Sequence, residues 1–176
     1  MLWLLILGVV GMVFAPAMWL RPTARERRQG SLRQVAIEAG ASVKLEMPPL
    51  HGETDKMAAY RWVYPSQRPG PRFVLVRTER ASEALKSFDY DNGWRWRIQP
   101  LEPLPSVINA RLSRLLTQLP EDACVVESSD KALTLWWEES LEADAFGSLA
   151  APATALRDAL QGRPDRPAAN LPNSPP

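Results

Sequence analysis

FDYDNGWRWRI, residues 88–98, reads as two short extended runs joined by a turn. Asn92-Gly93 supplies the positive φ angles that a tight hairpin turn requires. Trp94, Trp96 and Ile98 alternate with Arg95 and Arg97, so one face of the second run is apolar and the other basic. The stretch predicts an antiparallel hairpin with the tryptophans and Ile98 turned to a core.

The same period-two alternation recurs on either side. Upstream, Tyr60, Trp62 and Tyr64 share one face of a strand, and after a proline-rich run from Pro65 to Pro71 the segment Arg72-Phe73-Val74-Leu75-Val76-Arg77 makes the next. These two predict a second hairpin, closed by a stiff loop. Further upstream, Ser42-Val43-Lys44-Leu45-Glu46 alternates and stops at Pro48-Pro49. Downstream, Ala123 to Glu127 and Ala132 to Trp137 predict a last hairpin turning at Ser129-Asp130-Lys131. Leu104, Val107, Ile108, Leu112, Leu115, Leu116 and Leu119 recur at spacings of three and four. That period makes residues 104–119 an amphipathic helix bounded by prolines. A weaker helix over 141–160 carries Phe146, Leu149, Leu156 and Leu160, and Pro152 is expected to break or kink it. The fold class expected is α+β: an N-terminal transmembrane helix, then an antiparallel sheet of hairpins with one or two helices packed on one face.

The transmembrane expectation rests on residues 2–20, LWLLILGVVGMVFAPAMWL, which contain no charge. As a helix they would extend about 28 Å, close to the hydrocarbon thickness. Trp3 and Trp19 bracket the run as interfacial indoles do. Arg21, Arg25, Arg27, Arg28 and Arg33 against Glu26 and Glu38 leave residues 21–40 at a net +3, and a basic flank of this kind stays cytoplasmic. The reading is an uncleaved single-pass anchor in a bacterial inner membrane, N-terminus outside and C-terminal domain cytoplasmic. The competing reading is a cleaved leader, since Ala15-Pro16-Ala17 resembles a signal-peptidase site. Thr23 is placed to cap a helix that stops at Gly40. Its Arg25, Arg27 and Arg28 either rest on anionic headgroups or only set topology. The chain thus divides into an anchor (1–20), a basic juxtamembrane helix (21–40), a soluble α+β domain (41–160) and a disordered Pro-rich tail (161–176).

Chemistry is sparse. No Gly-rich phosphate loop, nucleophile elbow or metal-ligand pair is present in the sequence. Cys124 is the single cysteine, in an apolar run that suits an inert buried thiol, and His51 is the single histidine, in a proline-flanked loop. Glu138, Glu139, Glu142 and Asp144 are read as a solvated or helix-N-terminal cluster. No catalytic residue, metal or cofactor is expected, and the protein is read as a non-enzyme.

Charge is distributed unevenly. Residues 61–97 hold eight basic against four acidic residues, and residues 121–144 hold eight acidic residues against Lys131 alone. Arg61, Arg77, Arg95 and Arg97 are therefore the candidate partner-binding residues, a basic sheet face for an acidic protein, anionic lipid or nucleic acid. Alternation sets the tryptophans of Trp94-Arg95-Trp96-Arg97 opposite the arginines, which argues against base stacking and makes nucleic acid the less expected partner. Charge reversal of Arg95 and Arg97 together is expected to abolish partner capture without unfolding the domain.

The anchor, Arg21-Pro22, the basic helix Arg25-Glu26-Arg27-Arg28 with Leu32, and the Gly40-x-x-Val43 step into a strand resemble the N-terminal part of the YajC-type accessory subunit of bacterial preprotein translocase. The likeness covers residues 1 to about 45. The family's Gly-Asp-x-Val step reads Gly40-Ala41-Ser42-Val43 here, without the Asp. The resemblance implies association with a translocase. The function expected is a membrane-tethered adaptor or accessory subunit whose partners are the lipid bilayer and another membrane or cytoplasmic protein. The alternative is a tethered module that binds anionic headgroups or nucleic acid through the basic face.

Overall fold

A computed structural model describes residues 3, 23–89 and 93–165. In chain order the elements are α1 (Ala24–Glu38), β1 (Ser42–Glu46), β2 (Met57–Val63), β3 (Phe73–Arg77), a 3-10 turn (Thr78–Arg80), β4 (Trp94–Ile98), α2 (Ser106–Gln118), β5 (Ala123–Ser128), β6 (Ala132–Trp137) and α3 (Phe146–Leu160). The six strands of the described residues form one antiparallel sheet in the order β1-β2-β6-β5-β3-β4.

Local chemistry explains the helix ends. Thr23 and Glu26 form a reciprocal capping box at the start of α1. At its end Gly40, at φ +84, donates to Ile37 O while Ala41 donates to Ala36 O, a Schellman motif that only a left-handed residue closes without strain. α1 lays Leu32 and Ala36, both fully buried, on the sheet. α3 begins at Phe146, later than the periodicity suggested, and runs straight through Pro152. Burial of Leu149, Ala150, Ala153, Leu156 and Leu160 outweighs the one backbone bond that proline removes.

Among the described residues, α1, α2 and α3 cover one sheet face. There they enclose Tyr60, Trp62, Phe73, Leu75, Trp94, Leu133 and Trp137 in the main core. The opposite face carries a smaller cluster of Met57, Ala59, Val74, Val76, Cys124, Val125 and Trp136, against which Leu50 and Ala81 of two loops pack. Cys124 lies in that second cluster, its thiol donating to Asp122 O, and burial pushes its pKa up.

Several expectations are corrected. β2 and β3 are not a hairpin, because β6 and β5 lie between them. Both strands are buried on both faces, which a sheet interior satisfies and a two-stranded ribbon does not. Gly93 has the expected positive φ of 65°, whereas Asn92 lies outside the described residues. Among the described residues the segment before that turn makes one bridge, Ser87 to Arg95, and β4 takes β3 as its ladder partner. Trp94 is buried and Trp96 packs edge-on against Phe73 and Phe88, but Ile98, expected inside, is 51% exposed at the strand end.

The membrane expectations are corrected as well. Among the described residues no helix is long and apolar enough to cross a membrane. α1 and α3 have 15 residues each, about 22 Å against a hydrocarbon core of about 30 Å. α1 is heavily charged, and α3 spends its apolar stripe on α2 and the sheet. As far as the described residues go, this corrects the fold class that counted a transmembrane helix, the single-pass inner-membrane assignment and the localisation built on it. Residues 2–20, Trp3 excepted, lie outside the described residues, as does Arg21. Of the expected tail, residues 161–165 are described and docked: Gly162 donates to Arg68 O and Pro69 O, and Asp165 accepts from Arg72 N.

Candidate functional site

The one buried carboxylate among the described residues sits just past the end of β6. Leu133, Leu135 and Trp137 point to the helices, and Glu139 keeps their parity. Its side chain is 2% exposed, and its φ of 63° is left-handed, which is rare for a non-glycine residue and costs on the order of 1–2 kcal/mol. Glu139 Oε1 accepts from Tyr60 Oη at 2.8 Å and from Arg33 Nε at 2.6 Å, and Oε2 accepts from Arg33 Nη2 at 2.5 Å. The Glu139 bond holds the Arg33 guanidinium above its usual range. Burial, then the adjoining carboxylate, pushes the Tyr60 hydroxyl far above the usual tyrosine value. The triad fastens α1 to β2 and to the β6–α3 connection.

Asp122 supports the backbone of that bend. Its Oδ2 accepts from the backbone N–H of Glu138 and of Ser140, both at 3.0 Å, and its Oδ1 accepts from Ser140 Oγ at 2.6 Å. Three charge-assisted bonds around residues 138–140 offset the strain at Glu139.

Over the triad opens a polar cleft of about 630 Å³ between α1, the β1–β2 loop and the β6–α3 connection. Arg80 crosses its wall, donating to Glu53 at 3.4 Å and to Glu138 at 3.0 Å. Arg25 and Lys56 stand exposed on the rim with no ion pair among the described residues.

The four arginines predicted to bind a partner are not gathered into one face. Arg61 forks onto Glu46 at 3.0 and 2.6 Å, lying over the Trp136 ring at 5.8 Å; this lowers the Glu46 pKa and raises that of Arg61. Arg77 belongs to the helix side, stacked 4.8 Å over Trp94, with Nε donating to Ala123 O and Nη2 to Pro120 O, each at 2.7 Å. Arg95 donates to the carbonyls of Glu83 and Leu85 at 2.8 and 2.9 Å, and Arg97 to Pro49 O at 2.5 Å. Arg95 and Arg97 thus pin two loops onto the face opposite the helices, separated from Arg61 by three strands, about 19 Å. His51 is exposed in the β1–β2 loop.

The acidic cluster read as solvated divides. Glu138 and Glu142 are exposed and pair with Arg80 and Arg28, whereas Glu139 is buried. The missed signal was parity, since Glu139 continues the inward series 133, 135, 137. Arg25, Arg27 and Arg28, assigned to a membrane interface, lie on α1 with Arg25 and Arg27 exposed, and Trp3 is 78% exposed. Among the described residues no three His, Cys, Asp or Glu side chains are placed to hold a metal ion. No family model, curated protein or solved structure matches this chain.

Proposed function

We propose that the protein is a non-enzymatic module that binds another protein, as an adaptor or accessory subunit, and that the partner places an acidic segment in the cleft over Glu139. The observation that carries this is the division of labour among the charges there. The buried acid is committed: three hydrogen bonds occupy its oxygens and the fold excludes it from solvent. Arg25 and Lys56 on the rim are cations free of ion pairs among the described residues, beside one such carboxylate, Asp55, and the two cations together can attract and orient a negatively charged polypeptide. The likeness of residues 1 to about 45 to a translocase subunit proposes a preprotein translocase as that partner.

The test is co-purification with the tagged full chain. Arg25→Glu with Lys56→Glu is expected to lose a protein that the wild type retains, and Arg111→Glu on the outer side of α2 is expected to keep it. Retention by the cleft variant, or equal loss from both, would remove the cleft from the account.

A further inference from the structure

The two edges of the sheet are finished differently. At the β4 edge, residues 86–88 lie alongside the strand: Trp96 N donates to Lys86 O at 2.8 Å and Phe88 N to Trp94 O at 2.9 Å. At the other edge the backbone of β1 bonds to β2 and, among the described residues, to no other segment. An open edge presents a row of unpaired N–H and C=O groups, and a neighbouring strand completes it. Beside this edge stand two exposed large apolar side chains, Leu45 at 51% and Met47 at 57%.

We propose that the occupant of this edge is β1 of a second copy, paired antiparallel across a two-fold axis with Leu45 opposite Leu45. An isologous strand pair has few registers, because each residue must face one of the same sheet side. Centring on Lys44 opposes two ammonium groups, and centring on Glu46 opposes two carboxylates, both unfavourable. Centring on Val43 sets Leu45 against Ala41 and leaves Met47 beyond the pair. Centring on Leu45 solves all of these together. Leu45 meets Leu45 and Val43 meets Met47 on the helix side, while Lys44 meets Glu46 twice on the opposite side. Lys44 is exposed and the Glu46 carboxyl is 42% exposed, so both reach across while Glu46 keeps Arg61. The axis runs perpendicular to the sheet, giving twelve strands with the helices of both copies on one side. Ile37, 55% exposed on the helix that packs against β1, adds apolar surface near the junction.

Cysteine placement reads the register. In the full chain, Leu45→Cys brings two Cβ atoms within about 4.5–5.5 Å, near disulfide range, and Lys44→Cys does not. Oxidation is expected to give a disulfide-linked dimer from Leu45→Cys and none from Lys44→Cys; native Cys124, 3% exposed, stays out of the reaction. Sedimentation of the chain without added cysteines is expected to show a monomer–dimer equilibrium, with dimerisation weakened about tenfold or more by Lys44→Glu, which sets like charges across both pairs. Cross-linking at residue 45 also separates this edge from any other mode of self-association. Failure of Leu45→Cys to cross-link, preferential cross-linking of Lys44→Cys, or an unchanged dimer in Lys44→Glu would each overturn the proposal.

Discussion

Replacing Arg33 by Met probes the energetics of the Glu139 triad most sharply. The substitution keeps an aliphatic stem but removes two of the three donors that satisfy the Glu139 carboxylate, leaving Tyr60 alone. Removing one partner of a buried pair costs about 3–5 kcal/mol. Arg33 is 32% exposed, so water reaches part of the vacated space, and the low end, about 3 kcal/mol, applies. In a domain of this size that corresponds to a fall in Tm of about 6–12 °C. Glu139→Gln keeps the Tyr60 bond and is expected to cost about 2 kcal/mol. The double variant has no uncompensated charge, so its cost should fall short of the sum by about 2 kcal/mol. Urea unfolding followed by tryptophan fluorescence measures all three, since Trp137 packs against Tyr60 at 5.2 Å. An Arg33→Met cost below 1 kcal/mol, or additive single variants, would refute the claim that this triad fastens α1 to the sheet.

Tyr64 donates to Ser128 Oγ, which donates to Pro71 O, and burial pushes its pKa up to about 12. The folded state therefore holds that proton more tightly than the unfolded chain, whose value is about 10. This stabilisation is complete below pH 10 and is lost as pH rises toward 12, with about 3 kcal/mol at stake, and Tyr64→Phe should flatten the alkaline loss of stability; parallel curves would contradict it. A Cβ at Gly70 would meet Tyr64 Cζ at 2.5 Å, inside a buried ring that cannot yield, so Gly70→Ala should cost about 2–3 kcal/mol in thermal unfolding, and a neutral result would show that the 65–72 loop gives way. Charge reversal of Arg95 and Arg97 together should free the carbonyls of Pro49, Glu83 and Leu85, speeding hydrogen exchange in the loops after β1 and after the 3-10 turn; unchanged exchange would show that these contacts hold nothing.

What the sequence made legible was local. The Thr23 cap, the Gly40 stop, the β5–β6 hairpin and the amphipathic stripe of α2 all depend on residues within a turn or two of each other, and each was readable from spacing, whereas the reciprocal Glu26 half of the cap was not read. Strand order was not, because inserting β6 and β5 between β2 and β3 is decided by burial on both faces of the sheet. The outward direction of Arg95 and Arg97 followed from alternation, but the carbonyls they hold come from loops as much as 48 residues away. Glu139 was concealed by its neighbours: four acids in seven residues read as solvent-facing, and only the inward parity of β6 separates one from the rest.

Photo-cross-linking from position 56 in cells, with position 111 as the control, tests the partner-binding claim most directly. Adducts from position 56 are expected with one protein other than this chain, mapping to an acidic segment and disappearing when Arg25 is reversed. The same adducts from both positions, or none from position 56, would contradict it.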